Sequence, residues 1–179
     1  MSQAGAAGGA YQPPTLEAFM AQALQMELDA AQRYSEFADM MEVHNNPEVG
    51  DWFRKMAKVE GKHAEHIMAQ MGWREAPPRP VGAPVLAAME AVEGAASDQL
   101  HYLMQPWHVL QIALAGEERA ERFFAQMARE TRIEAIRLAA TALQQEEQDH
   151  VELVKSWMQK VPQPDANWDQ DPDPPRYDD

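Results

Sequence analysis

The chain has 179 residues, 45% of them hydrophobic, enough for one domain with a substantial core. Acidic residues outnumber basic ones 29 to 15, and the net charge of −14 argues against binding to nucleic acid or to an anionic membrane surface. The absence of cysteine excludes disulfides, thiolate zinc sites and cysteine-bound iron–sulfur or rubredoxin-type centres.

The opening run MSQAGAAGGA has neither the basic region nor the apolar stretch of a secretory signal. No apolar run approaches the ~20 residues of a membrane span, so the expected location is cytoplasmic. Residues 1–14 end in Pro13-Pro14 and read as a flexible tail. Thr15 is the N-cap of a first helix whose apolar stripe is Leu16, Met20, Ala23, Glu27, Ala30, Tyr34, Phe37 and Met41. The steps of three and four place all eight on one face, with a carboxylate in the middle. That helix should stop near His44-Asn45. Asn46-Pro47 then forms a cap with a first-turn proline, and a second helix runs to about Met71 with Gly72 as its stop. Its stripe reads Phe53, Met56, Glu60, His63, Ile67. The short connection makes the first two helices antiparallel.

Residues 73–105 form a long crossover. Its first part, WREAPPRPVGAP, is too rich in proline for regular helix. Residues 85–105 read as one or two short helices broken at Gly94. Pro106 restarts helix, with the stripe Leu110, Ala113, Glu117, Ala120, Phe124, Met127. Thr131-x-x-Glu134 reads as a capping box opening a fourth helix, which extends to about Lys160. Its stripe is Ile136, Ala140, Leu143, Glu147, His150, Val154, Trp157. Residues 161–179, rich in Pro and Asp, read as a solvated acidic tail, with Trp168 and Tyr177 as the aromatics able to dock it onto a partner. The expected fold is all-α: an antiparallel four-helix bundle over residues 15–160.

The two halves repeat each other. Ala23-Leu24-Gln25-Met26-Glu27 and Ala30 match Ala113-Leu114-Ala115-Gly116-Glu117 and Ala120 at an offset of 90 residues. Glu60-x-x-His63 matches Glu147-x-x-His150 at an offset of 87 residues. The core stripes thus collect Glu27, Glu60, His63, Glu117, Glu147 and His150. Burying a carboxylate costs several kcal/mol unless something compensates it, and none of the stripes carries a Lys or Arg. Two divalent ions would balance four carboxylates, and Glu and His three apart on one helix can reach the same ion. This is the ligand arrangement of carboxylate-bridged dimetal four-helix bundles. By that pattern Glu60 and Glu147 bridge, Glu27 and Glu117 are terminal, and each metal takes one His.

Around this set, Ala30 and Ala120 leave room for the metals and for dioxygen or peroxide. Tyr34 reads as core with its hydroxyl near the site. Glu121 is a possible seventh ligand, against a solvated position as the blander reading. His66 has Leu153 as its repeat partner and reads as structural. His44, His101 and His108 have no partner spacing. The Met residues fill seams.

These ligand pairs, the order short loop, long crossover, short loop, and the segment Ala113-Leu114-Ala115-Gly116-Glu117-Glu118-Arg119-Ala120 resemble the ferritin-like superfamily, most closely its rubrerythrin (erythrin) branch, over about residues 16–160. The resemblance implies a non-haem centre of two Fe ions, with Mn or Zn as substitutes, that reacts with hydrogen peroxide or oxygen. It implies an oxidoreductase turning Fe(II) into Fe(III), re-reduced by an external electron donor. Ferroxidase or iron-delivery activity, and oxygenation of an organic substrate, are the alternatives. The chain lacks the cysteines of a rubredoxin domain. The family's extra Glu, three residues beyond the third-helix ligand, is Ala120 here, which brings the ligand set closer to bacterioferritin-like ferroxidases. The tail lacks the pattern of a fifth helix, which weighs against a storage cage. A homodimer is the expected assembly.

Overall fold

The first helix opens where Thr15 can cap it: the hydroxyl accepts a hydrogen bond from the Ala18 N–H at 3.1 Å. The structure is a computed structural model and describes residues 13–80 and 100–172. It contains α1 (Leu16–Val43), α2 (Pro47–Met71), α3 (Pro106–Glu130) and α4 (Glu134–Met158), and no strand among the described residues. Asn45, at φ +58°, turns the chain sharply after α1. The Asn46 side chain accepts from the Val49 N–H at 3.3 Å and so caps α2, with Pro47 in its first turn. Gly72 ends α2 at φ +67°, a conformation that a Cβ would strain.

The pairs α1–α2 and α3–α4 each pack along their length, while α2–α3 and α1–α4 contacts join the two hairpins. The apolar stripes meet in two clusters. Phe19, Met20, Leu24, Ile67, Phe124 and Ile136 pack at one end. Phe37, Met41, Phe53, Met56, Val109, Leu110 and Val154 pack at the other. Each fully buried side chain of this kind contributes ~1.5–3 kcal/mol. The acidic and imidazole residues of the stripes fall between the two clusters.

Three features differ from the sequence reading. Thr131 is not the cap of the fourth helix. It ends α3, and its hydroxyl accepts from Ile133 N at 3.2 Å, so α4 starts at Glu134 behind an uncapped Ile133. His108 has a structural part after all: its Nδ1 accepts the Gln105 N–H at 3.0 Å and tightens the start of α3. The tail is not simply solvated over residues 161–172. The Trp168 ring lies on His108 with centroids 3.9 Å apart and edge-on to His101 at 5.5 Å, and the Tyr102 hydroxyl donates to Asp171 at 2.5 Å.

Residues 100–105, expected as helix, form a turn. It is tied down where the Asn46 amide donates to the carbonyls of Tyr102 at 3.1 Å and Met104 at 2.8 Å. The flexible N-terminal tail through residue 12, the helices expected over 85–99 and the docking role of Tyr177 lie outside the described residues.

Candidate metal centre

Glu27 lies midway along α1 and Glu60 midway along α2, and both are buried because their neighbours three and four residues away are core residues. His63 follows Glu60 by one turn. Their ligand atoms converge: His63 Nδ1 is 3.2 Å from Glu60 Oε2 and 3.4 Å from Glu27 Oε2. The second half repeats this with looser spacing. His150 Nδ1 is 3.4 Å from Glu147 Oε2 and 3.7 Å from Glu117 Oε2. In each triad one ligand atom per residue lies within 4.8 Å of the others. The two imidazoles stack face to face, 3.9 Å apart and 4° from parallel. All four carboxylates line one cavity, which places the two triads around a common centre.

Electrostatics bind the halves as well. Burial raises the pKa of Glu27, Glu117 and Glu147 well above the usual carboxylate range. Glu60 pushes Glu117 up further, and Glu27 pushes up Glu147, each acting across the hairpin boundary. Burial alone would lower His63, but the adjacent carboxylates, Glu27 and Glu60, outweigh it and raise the imidazole to about 10. His150 moves the other way, lowered by burial and by the charge of His63. Without cations, then, Glu27, Glu117 and Glu147 favour their protonated forms and His63 favours its charged form.

The donor set fits two hard or borderline divalent ions. His63 Nδ1 is buried, turned toward two carboxylate oxygens, and makes no hydrogen bond of good geometry with either. A nitrogen in that position can share a metal ion with both carboxylates. Glu27, Glu60, His63, Glu117, Glu147 and His150 all belong to the two triads. Glu121 does not: it turns outward, and its Oε1 accepts from the Gln144 and Gln148 amides at 2.8 and 3.3 Å. His66 is exposed and sits 3.5 Å from Glu146.

Tyr34 is buried, its ring stacked on Phe53 at 6.1 Å, and it lines the same cavity as the carboxylates. Ala30 and Ala120 line it too, beside Met26, Phe37, Ile112 and Gly116. Two arginines in the wall, Arg33 and Arg119, carry no weight in the sequence reading. Both lie off the core stripes, where a cation reads as a solvated residue. Their only sequence signal is nearness to Glu27 and Glu117.

Comparison with known proteins agrees with this geometry. A family model described as Rubrerythrin matches residues 18–91, which hold nearly all of α1, α2 and the first triad. An uncharacterised conserved protein from Magnetospirillum magnetotacticum MS-1, known from its crystal structure, is 30% identical with a TM-score of 0.57. The match covers 84% of this chain and 98% of that one. No curated protein matches.

Proposed function

Because the chain belongs to the rubrerythrin family of ferritin-like proteins, we propose that it is a di-iron oxidoreductase, reducing hydrogen peroxide or oxygen as Fe(II) becomes Fe(III). The observation that carries this reading is the convergence of two Glu-Glu-His triads on one cavity in the bundle core. Glu27, Glu60 and His63 would hold one ion and Glu117, Glu147 and His150 the other, with Glu60 and Glu147 shared between them. When bound, the two ions supply electrons and Lewis acidity.

The rest falls to the chain itself. Protons that burial holds on Glu27, Glu117 and Glu147 leave as the carboxylates take up their ligand roles. Ala30 and Ala120 keep the cavity open to a small oxidant, and Met26, Phe37 and Ile112 limit water around it. The Tyr34 hydroxyl lies in the cavity wall, where it can orient an oxygen atom by hydrogen bonding. An external reductase completes the cycle.

The test is stopped-flow absorbance of the anaerobic Fe(II)-loaded protein, mixed separately with hydrogen peroxide and with oxygen. Faster oxidation by peroxide is the result expected of a peroxide reductase. Faster oxidation by oxygen would move the assignment to a ferroxidase. No ferric absorbance with either oxidant would overturn the di-iron reading.

A further inference from the structure

We infer that the cavity over the four carboxylates binds a small organic carboxylate, anchored by Arg119 and seated against an apolar wall. The inference rests on the dinuclear reading above, because four carboxylates without cations would repel such a ligand.

Size sets the first limit. The cavity measures about 60 Å³, and part of that space belongs to the two ions, so only a short ligand can share it. Chemistry sets the second. Met26, Ala30, Phe37, Ile112 and Ala120 present hydrocarbon, which favours a short alkyl chain and gives nothing to a fourth oxygen of phosphate.

Arg119 supplies the polar end. It is half-buried, its Nε is shut off from solvent without a hydrogen-bond partner, and it forms no ion pair among the described residues. Several other arginines of this acidic chain do have carboxylate partners. Arg54 pairs with Asp39 and Glu42, Arg79 with Asp29, Arg122 with Glu118 and Arg137 with Glu134. Arg119 has Glu117, Glu118 and Glu121 close in sequence and pairs with none of them. An unanswered buried N–H is costly, and a guanidinium fork suits a carboxylate in two-point contact.

Gly116 completes the arrangement. A Cβ there would meet the Tyr34 hydroxyl at 3.4 Å and Arg119 Nη2 at 4.0 Å, so the missing side chain leaves both polar groups bordering the same space. With two divalent ions balancing four carboxylates, Arg119 makes the wall net positive, which selects an anion over a neutral alcohol or an amine.

The test is isothermal titration calorimetry of the full-length Zn(II)-loaded protein with sodium butyrate, with zinc stoichiometry measured in parallel. One butyrate per chain should bind, and butylamine should not. Arg119→Gln should weaken butyrate by roughly tenfold or more while keeping two zinc ions. Arg119→Lys, which keeps the charge and loses the fork, should recover part of that affinity and keep the metal. Absence of butyrate binding to the two-zinc protein, unchanged affinity in Arg119→Gln, or phosphate binding as tightly as butyrate would overturn the inference. Failure to take up two zinc ions would instead overturn the dinuclear reading, and this inference with it.

Discussion

Glu27, Glu60 and His63 in one hairpin stand at positions matched by Glu117, Glu147 and His150 in the other, yet the residues around them are not matched. Met26 occupies the place of Gly116 in the repeat, and Asp29 the place of Arg119. Asp29 is fully engaged, accepting from Gln25 at 2.7 Å and pairing with Arg79 at 2.8 Å. Arg119 is not. The ligand set is constrained from both sides, because each ion needs its own carboxylates and imidazole. The cavity needs only one opening, so at these two matched positions one hairpin supplies a gap and a cation where the other supplies bulk and a closed ion pair. The imidazoles differ in the same way. Stacked 3.9 Å apart, they cannot both carry charge cheaply, and the proton goes to His63, which has the closer carboxylates.

The largest expected effect tests whether the halves act as one site. Glu60→Ala and Glu147→Ala should each reduce metal content from two ions to below one, read by elemental analysis. Loss of only the ion in the altered half would refute the shared-carboxylate assignment. Next comes the packing on either side of the centre. Phe53, against Phe37 and Tyr34, and Phe124, edge-on to Phe19, are fully buried in different clusters. Truncating either to Ala should cost about 3–5 kcal/mol in urea denaturation. A cost under about 1 kcal/mol at one of them would mean that its cluster is dispensable.

The third test is pH. Glu27, Glu117 and Glu147 are raised from 4.5, so the metal-free fold holds protons that the unfolded chain releases. Their contribution is therefore present at low pH and lost as pH rises past 4.5. The His63 contribution is complete below 6.5 and lost toward about 10, in the same direction, while His150, lowered from 6.5, opposes them only as pH rises toward 6.5. The melting temperature of the metal-free protein should fall between about pH 5 and 9. Saturating Zn(II) should flatten or reverse that slope, because the ion takes deprotonated ligands. A metal-free protein that grew more stable over this range would contradict the placement of these carboxylates.

The smallest effect compares the two interhelix turns. Asn46→Ala removes the α2 cap and both bonds to the crossover, at a cost of about 1–2 kcal/mol. Thr131→Ala removes one turn bond and should cost under about 1 kcal/mol. Equal costs would mean that the crossover bonds contribute nothing.

The bundle and the two triads were legible in the sequence for one reason. A carboxylate on an apolar stripe violates the pattern that buries everything else there, and six such violations in register point to cations. Arg119 was illegible by the same logic, since a cation off the stripe violates nothing until a cavity is found beside it. Thr131 misled because the residue that ends one helix has the same chemistry as one that starts the next. Trp168 was readable as a docking aromatic, but its partners within the chain, His101 and His108, emerge only once the crossover and tail lie together. Gln22, wholly buried in α1 with neither amide atom bonded, is explained by nothing in sequence or structure.

Most helix packing lies within the hairpins and little between them, and this has a kinetic consequence. Each hairpin closes a turn of a few residues and forms early from local contacts. Docking one hairpin on the other spans the long crossover and comes last, and it is this step that brings the four carboxylates together. The slow part of folding is then also the part that concentrates negative charge, so a divalent cation present during refolding should accelerate docking while leaving the faster formation of helix unchanged.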